Sequence, residues 1–151
     1  MNEIIRVNEL TKSYGPNLAV DDLSFDVKEG EIFGFLGPNG AGKTTTIRMM
    51  VGLTQPSSGT AFINGHDILK EPVKVKQTIG LVPETSNLYG ELTSLENLIY
   101  QAELYGVARK ERKDRALQLL EEFGLKEHQA KPFQILSRGL KRRLTIATAL
   151  I

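Results

Sequence analysis

The sequence predicts an α/β fold in which a buried strand leads through a glycine-rich loop into a helix. The almost continuously apolar run Glu31–Leu36 suits a strand buried on both faces, as in a parallel sheet. A glycine-rich stretch, residues 37–44, follows it directly. Beyond this stretch Ile47, Met50 and Val51 have the i, i+3, i+4 spacing of one helix face.

The composition is that of an ordinary globular domain. The 151 residues are 40% hydrophobic and 25% charged, which is enough for one domain with a core. The net charge of +1 gives no argument for nucleic acid, so we expect no such partner. The sequence has no cysteine, no apolar run near the roughly 18 residues of a membrane span and no signal-peptide pattern. These features favour a cytoplasmic location.

The N-terminal part of the chain is predicted to form an antiparallel β subdomain. Ile4–Leu10 and Ser24–Val27 alternate as short strands, with the turn cluster Tyr14–Asn17 between them. A third strand, Thr60–Ile63, runs into Asn64-Gly65, a dipeptide typical of tight hairpins.

The later part of the chain is predicted to be mainly helical. A polar helix over Val73–Gln77 and a short strand over Ile79–Val82 precede it. Thr93 to Glu96 fits a capping box, with Thr93 as N-cap and Glu96 reaching back. A second helix is predicted over Lys110–Phe123, and Gly124 is expected to end it.

These elements predict one domain over residues 1–151, with parts of different character. We expect an α/β part at 1–90, a helical subdomain at 91–140 and, from 141 to 151, the start of a helix that returns to the core. Leu144–Ile151 predicts a helix that is still running at the last residue, as if the chain were cut there.

The glycine-rich stretch has the pattern of a phosphate-binding P-loop. Glycine lets successive backbone N–H groups approach phosphate oxygens, and a helix that begins near Gly42 directs its positive dipole end at the anion. Lys43 supplies a charge to the β- and γ-phosphates of ATP, and the Thr44 hydroxyl can ligate Mg²⁺. The buried strand before it and the helix after it are the context that the pattern requires. The pattern consists of Gly37, Pro38, Asn39, Gly40, Ala41, Gly42, Lys43 and Thr44.

Segments outside the loop indicate which class of P-loop protein this is. They are Asn8–Gly15, Val20–Phe25, Glu29–Glu31 and, in altered form, Ile79–Glu84 and Leu136–Lys141. With the loop and the threonines that follow it, they resemble the ATP-binding cassette (ABC) family over the whole length of the chain. The resemblance implies a P-loop NTPase core with an N-terminal antiparallel β subdomain and an inserted helical subdomain.

The resemblance implies nucleotide contacts for two further residues. Tyr14 corresponds to the aromatic residue that stacks on adenine, and Thr45 is a further phosphate contact. The flat face of a tyrosine ring suits a purine. An ordinary tyrosine at the end of a strand remains the alternative for Tyr14.

Glu84 stands where the family has a glutamine that approaches Mg²⁺ and the attacking water. A carboxylate can ligate Mg²⁺ and accept a hydrogen bond from water, but it cannot donate one as an amide does. It also adds negative charge near the triphosphate. The resemblance therefore implies a catalytic and metal-binding role for Glu84, beside Lys43 and Thr44, while a solvated loop glutamate is the alternative.

Residues 136–141 are similar to the family signature Leu-Ser-Gly-Gly-Gln. Ser137 and Gly139 match it, whereas Arg138 replaces a glycine and Leu140 replaces the glutamine. Ser137 is a good N-cap, and a capped helix N-terminus beside glycine suits an anion. The resemblance implies that Ser137 and Gly139 close over the γ-phosphate of ATP bound by a second copy. Helix capping alone is the alternative.

Residues 1–151 do not contain the strand ending in Asp-Glu that the family carries after the signature. We therefore expect the C-terminal part of the central sheet to be missing. We also expect this chain alone to bind nucleotide weakly and not to turn it over, because phosphoryl transfer depends on positioned charges.

The resemblance implies an ATP-binding subunit of an ABC transporter that hydrolyses Mg-ATP. Its expected partners are a transmembrane permease, through which it would lie at the membrane, and a second ATPase domain, as in a homodimer. The altered signature and Glu84 are similar to those of exporters for drugs, ions or antibiotics. Two alternatives stay open, a soluble ABC ATPase of the translation or repair type and a non-catalytic nucleotide-binding fragment.

Overall fold

The computed structural model of the chain describes residues 3–151. They divide into two units, one ending at Ile79 and the other spanning Gly80–Ile151. Each unit has its own cluster of buried apolar side chains. Among the helices of residues 3–151, none has the length and apolar character needed to cross a membrane.

The first unit contains the predicted antiparallel sheet, and its strands are longer than the sequence pattern indicated. Its strand order is β2-β1-β3-β4, with every neighbouring pair antiparallel. The hairpin turn is confirmed at Asn64 and Gly65, whose φ angles of 50° and 78° are those of a tight primed turn. The strands are β1 Glu3–Tyr14, β2 Asn17–Lys28, β3 Ser58–Ile63 and β4 His66–Asp67.

Two helices pack on this sheet, α1 (Lys43–Met50) and α2 (Pro72–Thr78). The core of the unit is formed by alternate side chains of the strands together with Met49 and Val75 from the helices. The face that α1 buries differs from the predicted one. Thr46 and Met49 are buried, and Ile47 is exposed.

The prediction of a strand over Glu31–Leu36 is wrong. No strand is present there, because no segment of residues 3–151 hydrogen-bonds alongside it as a parallel neighbour. Ile32 is fully exposed and Leu36 is 94% exposed. Phe33 stacks on Phe25 of β2 with ring centroids 5.0 Å apart, so part of the apolar run packs on the outer strand of the sheet.

The second unit is helical, as predicted. Thr93 and Glu96 form the expected capping box at the start of its first helix. Gly124 follows the second helix with φ 64°, the left-handed conformation of a glycine stop. The helices are α3 Ser94–Leu104, α4 Arg112–Glu122 and α5 Arg138–Thr148, with short 3₁₀ turns at Lys126–His128 and Phe133–Ile135.

Two element predictions in the second half of the chain are wrong. Ile79–Val82 is not a strand, because within residues 3–151 it has no strand partner. Helix α5 ends at Thr148 and does not run to the last residue. The N–H groups of Ala149 and Leu150 bond to carbonyls three residues back, and this tightening closes the helix. The Leu150 carbonyl accepts a hydrogen bond of 2.8 Å from Arg115.

Asp67 organises the connection from the sheet to α2. Its side chain is only 6% exposed, and one carboxylate oxygen accepts hydrogen bonds from the N–H groups of Leu69 and Lys70 and from the Thr60 hydroxyl. Burial alone would raise the pKa of Asp67. The three hydrogen bonds, together with the positive charge of Lys70, outweigh it and hold the pKa below its usual value.

We expect Asp67→Asn to lower the free energy of unfolding by about 1–3 kcal/mol at pH 7, because a charged acceptor of three hydrogen bonds is lost. The stability that a lowered pKa supplies is present above the unfolded pKa of about 4 and is lost as pH falls through the folded pKa. The difference between variant and wild type should therefore shrink below about pH 4. Urea unfolding of both proteins at pH 7 and at pH 3 measures this difference in stability.

The control is Asp21→Asn, which changes an exposed carboxylate of β2 in the same unit. It should leave the midpoint of urea unfolding at pH 7 nearly unchanged. An Asp67→Asn variant with wild-type stability at pH 7 would contradict the assigned role of these hydrogen bonds.

Candidate functional site

The P-loop residues form a turn that leads directly into α1. Gly42 is the N-cap of α1 and has φ 81°, a left-handed conformation that side chains rarely adopt. A Cβ atom on Gly42 would overlap the carbonyl oxygen of Ala19 and touch Val20. The loop is thus seated against β2 so closely that only glycine fits.

The first turn of α1 is fixed by Thr46. Its N–H donates to the Gly42 carbonyl at 2.8 Å, and its hydroxyl donates to the same oxygen at 3.0 Å. The first turn contains no acidic side chain. The N-terminal N–H groups of the helix and its positive dipole end therefore remain suited to an anion.

Lys43 lies across the loop. Its ammonium donates to the carbonyl oxygens of Gly37 and Pro38, each at 2.6 Å. An ammonium has three donors and binds phosphate as a point charge, so this position suits contact with phosphate oxygens beside the loop.

The loop borders a cavity of about 260 Å³. The polar side chains among its lining residues are the Lys43 ammonium, the hydroxyls of Thr44 and Thr45 and the Asn39 amide. These groups are cationic or neutral, so their charge suits a polyphosphate. Thr44 is exposed beside the cavity. The lining residues are Ala19, Asn39, Gly40, Ala41, Gly42, Lys43, Thr44 and Thr45.

A comparison with known protein families decides which P-loop class this is. The family described as "ABC transporter" matches residues 20–151. The chain belongs to the ABC transporter family. The resemblance to that family and the predicted α/β P-loop fold are therefore confirmed.

Curated ABC proteins and solved structures are similar along nearly the whole chain. The linearmycin resistance ATP-binding protein LnrL of Bacillus subtilis is 43% identical, over 98% of this chain and 48% of that protein. The bacitracin transport ATP-binding protein BcrA of Bacillus licheniformis is 42% identical, over 100% of this chain and 48% of that protein. A solved ATP-binding subunit of an ABC transporter is 34% identical with a TM-score of 0.81, over 96% of this chain and 60% of that one. The chain thus spans about half the length of these curated relatives.

Tyr14 lies at the end of β1, where it pairs with Asn17 across the hairpin. Its side chain is 48% exposed, and the Lys12 ammonium lies 5.0 Å from the ring centroid. Tyr14 is not among the residues that line the loop cavity. Its predicted contact with adenine stays a prediction.

In the second unit, the segment that carries Glu84 is tied to α5. Arg142 donates to the Pro83 carbonyl at 2.8 Å, and the hydroxyl oxygens of Ser86 and Thr145 are 3.0 Å apart. Glu84 itself is exposed and lines a cavity that Arg138 also lines. The structure therefore brings together two positions at which this ABC chain departs from the family pattern.

Ser137 is confirmed as the N-cap of α5, because its hydroxyl accepts a hydrogen bond from the Leu140 N–H at 3.4 Å. Gly139 is exposed in the first turn of the helix, and a Cβ atom there would meet nothing within 4 Å. Open space and a capped helix start suit the predicted contact with a phosphate in a second copy. That contact stays a prediction.

Sequence reasoning missed residues that hold the chain before α3 and the P-loop in place. Asn97 is fully buried: its side-chain amide donates to the carbonyls of Tyr89, Leu92 and Thr93, and its oxygen accepts from the Tyr89 N–H. Ala19, whose carbonyl faces Gly42, carries no recognisable signal in one sequence. For Asn97 the available signal was an amide in the apolar stretch after the capping box.

We expect Gly42→Ala to weaken Mg-ATP binding at least tenfold. The new Cβ would combine the strain of a left-handed residue, about 1–3 kcal/mol, with overlap on the Ala19 carbonyl. Equilibrium dialysis or calorimetry with Mg-ATP measures the change.

Gly34→Ala is the matched control, because a Cβ there meets nothing within 4 Å and the backbone is not left-handed. It should bind as the wild type does. Equal affinity of Gly42→Ala and wild type would show that the close seat against β2 is not needed for binding.

Proposed function

We propose that this chain is the nucleotide-binding part of an ABC transporter ATPase. It binds Mg-ATP at residues 37–45, and in the parent protein hydrolysis drives transport through a permease partner. The observation that carries the proposal is the Lys43 ammonium beside the loop, together with the Gly42 cap that directs the start of α1 at the same cavity. Both serve the binding of a polyphosphate.

The residues divide the binding task among them. Lys43 neutralises charge on the β- and γ-phosphates, loop N–H groups bind their oxygens, and the Thr44 hydroxyl holds Mg²⁺. Thr45 contributes a further phosphate contact. Tyr14 offers a ring face to the adenine. A Mg²⁺ ion held by the Thr44 hydroxyl would supply positive charge that offsets the charge of the phosphates.

The remaining site residues act at the γ-phosphate. Glu84 is proposed to orient the attacking water and to contact Mg²⁺. Ser137 and Gly139 are proposed to close over ATP held by a second copy of the domain, so a homodimer is the expected active state. In this scheme the α/β part covers residues 1–90 and the helical subdomain 91–140, and residues 141–151 belong to the segment that starts the return to the core.

The names of the relatives support an exporter of drugs or antibiotics. One is named for linearmycin resistance and one for bacitracin transport. We therefore propose that the parent protein acts at the cytoplasmic side of a membrane, bound there through its permease. The cargo we propose belongs to the same broad class of antibiotic compounds.

The test is Mg-ATP binding and hydrolysis by the chain, compared with Lys43→Ala. We expect Lys43→Ala to lose at least tenfold in affinity, because the phosphates lose their cation. We expect hydrolysis by residues 1–151 alone to stay at background.

Lys113→Ala is the matched control, since it removes an exposed lysine of α4 in the other unit. It should bind Mg-ATP as the wild type does. Binding that survives Lys43→Ala would overturn the assignment of the loop. Turnover that depends on Lys43 would mean that a catalytic carboxylate lies within residues 1–151, with Glu84 the first to test.

A further inference from the structure

The second unit has an open cavity of about 550 Å³ between the segment Pro83–Ser86 and one face of α5. The α5 residues that line it recur at i, i+3, i+4 and i+7, which is a single helix face. The lining residues are Glu84, Thr85, Ser86, Arg138, Lys141, Arg142 and Thr145.

Two bonds fix the segment on this helix face, one on each side of Glu84. The Pro83 carbonyl accepts from Arg142 at 2.8 Å, and the Ser86 hydroxyl is hydrogen-bonded to the buried Thr145 hydroxyl at 3.0 Å. The backbone of Glu84 is therefore held beside α5, whereas its side chain is exposed.

Three cations and one carboxylate line the cavity, and two of the cations are already engaged. Lys141 donates to the Gln134 carbonyl at 2.7 Å and lies 5.5 Å from the Phe133 ring centroid. Arg142 is bonded to Pro83. Within residues 3–151, neither Arg138 nor Glu84 has an ion-pair partner closer than 4.0 Å. These two opposite charges thus face one space without another partner in the described chain.

We propose that Arg138 is a positioning residue for Glu84. Across the cavity its guanidinium attracts the Glu84 carboxylate, orients that side chain on a segment whose backbone Arg142 and Thr145 already fix, and offsets the negative charge that Glu84 would otherwise carry toward a triphosphate. Glu84 replaces a neutral glutamine and Arg138 a neutral glycine of the family pattern, so the two departures compensate each other. The catalytic purpose of the pair rests on the proposed function, whereas the attraction between the two side chains does not.

A double-mutant cycle in the full chain tests the attraction without nucleotide. The variants are Glu84→Gln, which keeps the size of the side chain, Arg138→Gln, which keeps a polar side chain without the charge, and the double variant. We expect the two changes to be non-additive, with a coupling of about two- to fivefold in the unfolding equilibrium constant, the range of partly exposed ion pairs. The coupling should fall toward one in 1 M salt, because salt screens charges but not packing.

Arg143→Gln provides the matched control cycle. Arg143 lies on the same helix, but its guanidinium faces Gly124 and does not line the cavity. Glu84→Gln and Arg143→Gln should therefore be additive. Additive effects in the Arg138 cycle, or a coupling that 1 M salt leaves unchanged, would overturn the proposal.

Arg138→Lys keeps the proposal testable where Arg138→Gln does not fold. Lysine retains the positive charge, so the effects of Arg138→Lys and Glu84→Gln should be nearly additive. A strong coupling in this cycle would show that the fork geometry of the guanidinium and not its charge matters, and would overturn the electrostatic role.

Hydrolysis by the full-length protein tests the catalytic purpose. We expect Arg138→Gln to lower kcat more when Glu84 is present than in the Glu84→Gln background, and an equal effect in both backgrounds would contradict positioning. The nucleotide-free cycle and the Lys43→Ala binding experiment use different sites and readouts. The failure of this proposal can therefore be distinguished from the failure of the proposed function.

Discussion

The contact between Gly42 and the Ala19 carbonyl is the constraint on which the nucleotide site depends. It sets how deeply the loop sits on β2, and the left-handed Gly42 turns the chain into α1 at that point. Thr46 then fixes the first helical turn with two bonds to the same residue. The direction of the helix N-terminus follows from these contacts, and with it the place where an anion is favoured.

In the second unit, loop segments are held in place by side-chain hydrogen bonds. Asn97, at the start of α3, holds the chain around Tyr89–Thr93: its two N–H groups are shared among three carbonyl oxygens, and its oxygen accepts from the Tyr89 N–H. A buried amide that is fully bonded stabilises one geometry, since any other arrangement leaves polar groups without partners. The segment before it is fixed separately to α5 by Arg142 and Thr145.

The sequence predicted the features that depend on local chemistry. The hairpin at Asn64-Gly65, the capping box at Thr93, the cap at Ser137 and the glycine stop at Gly124 each depend on a few neighbouring residues, and all four are confirmed. The turn at Gly42 and the start of α1 belong to the same class, because both are encoded within a short stretch, whereas the strand predicted before the loop is not present in residues 3–151. The antiparallel sheet was predicted too, although its strands extend beyond the alternating cores that marked them.

The two failed strand predictions concern features that depend on a partner. Alternating apolar and polar residues, or a continuous apolar run, indicate that a segment suits burial. A strand nevertheless forms only where a neighbouring segment pairs with it through backbone hydrogen bonds. Residues 31–36 and 79–82 have the apolar composition of strands, but no neighbouring strand within residues 3–151 pairs with them. The cavity that Glu84 and Arg138 both line is another feature that depends on packing between distant segments. Each residue looked like an isolated departure from a pattern, and only the packing of the segment on α5 places their opposite charges around one space.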